Sequence, residues 1–245
     1  PAGALRLDWS ALLAFKRGFT DPVPESTEAW LTEAGVATLH GEARFTGADT
    51  LAVGDVELSA EHIGVAAGAR PAALGIEGEA EVLSSEEFMA LERLGDRVVF
   101  IGGGYVSMEF AHIAAAAGAA VTVCHRGARV LGGFDVDLVQ MLVAGYRARG
   151  IEGRTEAPVR AVVREGAALA VVLSDGERLP CDMVVHGAGR VPDLEALDLA
   201  AGRVAYGPRG IEVDERLRSV SNPRVWAVGD AAARGLPLTP VGIGE

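Results

Sequence analysis

The stretch that most constrains this 245-residue chain runs from Arg97 to Arg129. Val98, Val99, Phe100 and Ile101 form an unbroken apolar, β-prone run, the pattern of a strand buried on both faces. Gly102, Gly103 and Gly104 end it. Tyr105 to Ala117 then carry apolar and small residues suited to a packed helix, with Gly118 where a helix C-cap belongs. A second β-branched strand, Ala120 to Cys124, follows. A βαβ unit with glycines in its first turn is the arrangement that holds a dinucleotide pyrophosphate at a helix N-terminus. Gly102 and Gly104 take the first two positions of the G-x-G-x-x-G pattern. Ser107 takes the third, where a small side chain is enough for close helix–strand packing. A ligand-free βα turn would share the glycines alone; the strand–turn–helix–strand context is what points to a nucleotide.

The end of the second strand bears on which nucleotide. An acidic residue about 20 positions past the glycines would accept from the adenosine ribose 2′-OH. That count lands on Cys124, His125 and Arg126, with Arg129 beyond, and the next carboxylate is Asp135. Guanidinium groups bind a 2′-phosphate with charge-assisted hydrogen bonds. The residues therefore favour NADP, with NAD the alternative if Arg126 and Arg129 are only solvated loop charges.

A hydrophobic share of 49% over 245 residues suffices for a sizeable core in one large or two small domains. No uninterrupted apolar run reaches the about 18 residues of a membrane span. With no signal peptide visible, a cytoplasmic protein is expected. A net charge of −12 argues against nucleic acid or an anionic membrane as a partner. Cys124 and Cys181 belong to no C-x-x-C pair and read as buried structural thiols. The histidines show no ligand spacing, so no metal site is expected.

Elsewhere, Leu5 to Phe19 has near-helical spacing and ends at Asp21-Pro22; a second helix starts at Pro24 and stops at Gly35. The period then changes to two: residues 37–40, 43–45, 50–53 and 56–58 read as strands of an antiparallel meander. Ile63 to Gly68 reads as a buried strand and residues 72–80 as a glycine-rich connector. Ser84 caps a short helix with an acidic first turn. Asp135 to Gly150 reads as a helix with Val136, Leu138, Met141, Leu142 and Tyr146 on one side. Three short strands follow at 159–163, 168–173 and 178–179, then buried strands at 183–186 and 225–228. Three apolar strands end in glycine-bearing turns, at Gly68, at Gly187 to Arg190 and at Gly229-Asp230, where open α/β sheets bind ligands. Asp230 could accept from a cofactor hydroxyl or serve as a turn or cap residue.

Together these residues resemble the class I pyridine nucleotide-disulfide oxidoreductases, the two-dinucleotide flavoproteins that include glutathione reductase, mercuric reductase and dihydrolipoamide dehydrogenase. The resemblance rests on Val65-Ala-Ala-Gly-Ala-Arg-Pro71, Gly102 to Glu109, His186-Gly-Ala-Gly-Arg-Val-Pro192, and Val225 to Asp230 followed by Leu238-Thr-Pro-Val241. It implies an α/β fold. A Rossmann-like NAD(P)-binding domain, a parallel sheet plus a three-stranded antiparallel meander over residues 79–195, is inserted in an incomplete FAD-binding domain of residues 1–78 and 196–245.

The resemblance implies FAD and NADP as cofactors, with hydride passing from NADPH to FAD and electrons on to a redox disulfide. Gly102 and Gly104 would hold the pyrophosphate, Arg126 and Arg129 the 2′-phosphate, and Gly189 and Arg190 the nicotinamide side. Asp230 would bond the FAD ribitol, with Gly229, Leu238 and Thr239 at the isoalloxazine, Ala43 near the adenine and Gly68 at the domain crossover. Tyr105 resembles the tyrosine that covers the flavin, and Glu109 the glutamate that pairs with a lysine beside it. Packing alone also suits Tyr105, and Glu109 also fits as an ordinary helix surface residue. The family's FAD-binding G-x-G-x-x-G, its C-x-x-x-x-C pair, that lysine and the C-terminal interface domain match nothing between Pro1 and Glu245. Gly132 stands where NADPH-specific members often carry a second arginine, and Ala67 replaces a threonine. The expectation is a central piece of a homodimeric enzyme acting on a low-molecular-weight disulfide, the piece alone binding nucleotide without turnover. Alternatives are a non-disulfide flavoprotein of the NADH oxidase or ferredoxin reductase type, an NAD-dependent dihydrolipoamide dehydrogenase type, and a non-catalytic nucleotide-binding module.

Overall fold

The computed structural model describes residues 7–235. The first third holds α1 (Trp9–Thr20), α2 (Val23–Glu33), β1 (Ala43–Phe45), β2 (Thr50–Val53), β3 (Val56–Ser59), β4 (Ile63–Val65), β5 (Ala69–Pro71) and β6 (Val82–Leu83). There follow α3 (Ser85–Ala90), β7 (Arg97–Ile101), α4 (Tyr105–Ala116), β8 (Ala120–Cys124), α5 (Val136–Ala148) and β9 (Glu152–Arg154). Last come β10 (Val159–Glu165), β11 (Ala168–Leu173), β12 (Arg178–Cys181), β13 (Met183–His186), β14 (Arg190–Pro192), β15 (Tyr206–Gly207), β16 (Gly210–Ile211) and β17 (Val225–Ala227).

The chain separates into two units, residues 1–23 with 71–189 and residues 24–70 with 190–245. In this division the boundaries fall at 70/71 and 189/190, and α1 joins the first unit. The reason for the last point is visible in its contacts. Leu13 is buried, Trp9 meets Phe88 edge to face at 5.5 Å, and Trp9 Nε1 donates to the Leu91 carbonyl at 2.8 Å.

The first unit is built on a parallel five-stranded sheet in the order β6-β13-β7-β8-β9. Alternation along β7 divides the core. Val98 and Phe100 pack with Phe88, with Met108, Ala111 and Ala114 of α4, and with Val139 of α5. Val99 and Ile101 point the other way, into a cluster with Val162, Leu169, Val171 and Leu173 of the antiparallel meander β10-β11-β12. Helices cover one face and the meander the other, which is why β7 is apolar throughout. Phe88 and Phe100 are essentially fully buried, each burial contributing about 1.5–3 kcal/mol.

Local signals set the helix limits. Gly118 (φ 101°) ends α4 with its N–H on the Ala115 carbonyl and that of Ala119 on Ala114, a Schellman arrangement, and Gly150 (φ 79°) ends α5 the same way. Asp135 caps α5 by accepting from the Asp137 and Leu138 amides. The inward face of α5 is not the expected one. Val139 is its buried residue and Tyr146 is half-buried, its hydroxyl donating to the Met108 carbonyl at 2.7 Å. Val136, Leu138, Met141 and Leu142 are exposed.

In the second unit β1-β2-β3 form an antiparallel meander, β4 pairs with β17 in parallel, and β5 pairs with β14. Its core joins Phe45, Ile63, Val65, Ile211, Val225 and Ala227. Buried Asn222 ties distant loops to that core, donating through Nδ2 to Ala48 and Gly202 carbonyls at 2.8 and 2.7 Å. Residues 37–40, expected as a strand, join no ladder. Side chains hold them instead: Thr38 Oγ1 and His40 Nε2 both bond Glu28 of α2, at 2.6 and 2.9 Å.

Candidate functional site

At the carboxyl end of β7 three backbones converge. The Gly102 N–H donates to the Cys124 carbonyl at 2.8 Å, the Leu131 N–H to Gly103 at 2.7 Å, and the Gly187 N–H to Ile101 at 2.8 Å. Gly102 has φ 109°, and a Cβ placed on it would lie 2.2 Å from the Gly187 carbonyl oxygen. That residue is glycine because the chain leaving β13 runs against it. Ser107 is fully buried, and a Cβ on Gly187 would fall 1.9 Å from its Oγ. The small residue at 107 and the glycine at 187 are one packing solution.

The helix that starts here lacks a side-chain cap. Asp8, Ser84 and Asp135 cap α1, α3 and α5 through their side chains, whereas the N-cap of α4, Gly104, offers none. The first bond into α4 is Met108 N–H to the Gly104 carbonyl, at 3.1 Å. The amides of Tyr105, Val106 and Ser107 therefore have no acceptor among the described residues. Several such amides at the positive end of a helix dipole form an anion site. The buried Ser107 Oγ is also without a partner there.

The loop after β8 carries the positive charge. Arg126 is exposed and makes no hydrogen bond or ion pair among the described residues. Arg129 is committed elsewhere: its guanidinium donates to the Gly132 and Phe134 carbonyls, at 2.7 and 3.0 Å, and staples the turn that leads to α5. Asp135 is occupied as a cap. Nearby Glu152 and Glu177 are paired with Arg154. The exposed Glu156 follows in the next turn, its N–H on the Gly127 carbonyl at 3.0 Å.

Gly102, Gly104, Ser107, Arg126 and Arg129 thus gather at one end of one sheet. Tyr105 and Glu109 are both exposed on α4, and Glu109 makes no ion pair among the described residues. Gly189 has φ 118°, and Arg190 bonds the Ala69 carbonyl. In the second unit Gly229 (φ 59°) and half-buried Asp230 form the turn after β17, while Gly68 (φ 69°) lies beyond β4 and accepts from the Asp193 N–H. Ala43 is in register with Val53. Leu238 and Thr239 lie outside the described residues. The sequence reading singled out neither Gly187 nor His125 as site residues, though both line the turn; the G-x-G spacing of Gly187 and Gly189 was the available signal.

Cys124 and Cys181 are both buried. Burial pushes the Cys124 thiol up to about 12 and the Cys181 thiol up to about 11. Thiols held protonated in this way are poor nucleophiles at neutral pH. No metal-binding group of side chains and no helix long and apolar enough to cross a membrane occurs among the described residues.

A parallel sheet whose central strand feeds a glycine-fronted helix without a side-chain cap is the architecture of dinucleotide-binding α/β units. Residues 15–245 match the family model described as pyridine nucleotide-disulphide oxidoreductase, and the chain belongs to that family. It is 35% identical to the glutathione reductase of Burkholderia cepacia over 238 residues, covering 97% of this chain and 53% of that protein. It is 33% identical to the trypanothione reductase of Trypanosoma congolense, covering 100% of this chain and 52% of that protein. The fold is shared with the HOCl-induced flavoprotein disulfide reductase RclA from Escherichia coli, at a TM-score of 0.91 and 23% identity, over 98% of this chain and 56% of that one. The chain spans about half the length of the curated relatives it matches.

Proposed function

We propose that the first unit binds NADPH and that the chain is the nucleotide-handling part of an FAD-dependent disulfide reductase. Its relatives named for glutathione and trypanothione support a low-molecular-weight disulfide as final acceptor. A cytoplasmic homodimer is part of the same proposal. When bound, NADPH supplies hydride and FAD relays the electron pair towards the disulfide. This chain's residues bind and orient. The free amides at the start of α4 take the pyrophosphate, and Gly102 and Gly104 let it approach the backbone. Arg126 takes the 2′-phosphate as a charged donor. Tyr105, the exposed first residue of α4, would cover the flavin until nicotinamide arrives. Gly189 and Arg190 would take the nicotinamide side, Asp230 the flavin's ribitol, and Gly229 its isoalloxazine. Cys124 and Cys181 do not serve as the exchange pair, because exchange needs an accessible thiolate.

The observation that carries this reading is that α4 starts at Gly104 without a side-chain cap, in the same unit as the exposed Arg126 guanidinium, which has no partner among the described residues. Calorimetric titration with NADPH and NADH tests it. NADPH should bind the tighter, and Arg126→Glu should weaken NADPH by about 10- to 100-fold while leaving NADH within about threefold. Tighter NADH binding to the unaltered chain would overturn the choice of coenzyme.

A further inference from the structure

We infer that α5 is an interaction surface and that its partner is α5 of a second copy of this chain, lying antiparallel to it. Val139 is the only buried residue of the helix. On the outer side Leu138 and Met141 are 66% and 72% exposed and Ala148 is exposed, with half-buried Gly145 in the same line. Phe134, 57% exposed, stands just ahead of the helix. Residues 134, 138, 141, 145 and 148 follow one another at steps of four, three, four and three. That is the a/d repeat of a coiled coil, a narrow apolar seam suited to meet another helix.

The seam itself specifies the occupant. Its N-terminal half carries large side chains, Leu138 and Met141, and its C-terminal half carries Gly145 and Ala148. A parallel pair would set large against large and leave voids beyond. An antiparallel pair sets Leu138 against Ala148 of the second copy and Met141 against Gly145 of the second copy, so every bulky group meets a space. Gly145 has no such use within its own chain. A Cβ there would meet only Arg149 Nη1, at 3.5 Å, an ordinary contact, and glycine in mid-helix is weaker than alanine. Charge agrees with the same orientation. Asp135, Leu142 and Arg149 lie seven residues apart on one flank of the seam, and a twofold axis brings that flank against itself. Leu142 then meets its own copy at the axis, and Asp135 faces Arg149 of the second copy at both ends. One helix pair falls short of the roughly 800 Å² per partner of a stable complex, and a net charge of −12 on each copy adds repulsion. The association is therefore weak and concentration-dependent.

Sedimentation of the 245-residue chain at about 0.15 M salt, from micromolar to about 1 mM chain, tests this. A monomer–dimer equilibrium is expected. Leu138→Glu and Met141→Glu should raise its dissociation constant by at least about tenfold, and Arg149→Glu by about threefold. Gly145→Met should raise it by about tenfold while the melting temperature also rises, a split that a purely intrachain role for Gly145 would not give. Cross-linking fixes the orientation, since the native cysteines are buried. Leu142→Cys should join to its own copy through a short bis-maleimide and Ala148→Cys should not; the reverse pattern would mean a parallel pair and overturn the assignment. A chain that stays monomeric at every concentration, or a dimer indifferent to the seam variants, would equally overturn it. Either result would leave the seam to a further segment of a longer protein or to a different partner.

Discussion

Two strand ends in this chain, one in each unit, carry a glycine turn and follow a buried strand, yet they are held by different forces. In the first unit β7 lies at the centre of a five-stranded sheet, and its turn feeds a 12-residue helix. There Gly102 is required by the protein itself, since the Gly187 carbonyl occupies the place of any side chain. In the second unit β17 pairs with β4 and, through an isolated bridge, with Arg218, and its turn is the short 3-10 segment Gly229–Ala231. A Cβ on Gly229 would meet nothing within 4 Å, so only its positive φ asks for glycine. The comparison teaches that a glycine at a strand end is not by itself a mark of ligand approach. At Gly102 the packing of the chain already explains it, and the argument for a nucleotide comes from the amides without acceptors beyond it.

Substituting the two glycines should break the symmetry most sharply. Gly102→Ala is expected to destabilise by about 3 kcal/mol or more, combining backbone clash with a strained φ. Gly229→Ala should cost only about 1 kcal/mol, from the backbone conformation alone. Urea unfolding followed separately in the two units would show it, and equal losses would undo the distinction. Ligand protection comes next. Both cysteines lie in the first unit, so their labelling reports its opening. NADPH at about 100 times its dissociation constant should slow labelling by up to about 100-fold, or about 2.7 kcal/mol. Unchanged labelling with saturating NADPH would place the coenzyme elsewhere.

Gly104→Asp would give α4 the cap its neighbours have. The Gly104 backbone is extended (φ −83°, ψ 176°), and a Cβ there meets only the Gly187 oxygen at 3.5 Å. The free chain should gain about 0.5–1 kcal/mol while nucleotide binding is lost, a trade visible by paired thermal melts and titrations. The smallest effect concerns Arg97 and Asp182, at the opposite end of β7. The Arg97 side chain holds the Asp182 carboxyl below its ordinary range. A lowered folded value means the pair stabilises above the ordinary carboxylate range and stops doing so as pH falls through the folded value. The melting temperatures of the unaltered chain and Arg97→Ala should therefore differ at neutral pH and converge below about pH 4.

The βαβ unit was legible because each of its parts has a local signal: a continuous apolar strand, glycines, small helix residues and a terminal Gly118. The meander β10-β11-β12 was legible from its turns at Gly166 and Gly176. The edge strands β6 and β9 were not, since two or three residues carry no period and Glu152 to Arg154 is charged, as an edge strand can be. The inward face of α5 was misread because hydropathy alone cannot separate Leu138 and Met141, which face out, from Val139. In the site, the glycines and Arg126 could be counted out along the sequence. The engagement of Arg129 with two carbonyls and the seat of His125 between Gly103 and Gly127 could not, because both depend on how the loop folds back.

That fold-back has a thermodynamic consequence. The segment bearing Arg126 is pinned before it by His125 on Arg154, after it by Leu131 on Gly103, and within by the Arg129 staple. A ligand arriving there would have to order little more than one flexible side chain, at an entropic cost of about 2 kcal/mol or less, instead of a whole loop. On the nucleotide reading proposed above, the second arginine would add to affinity by making its neighbour ready in advance.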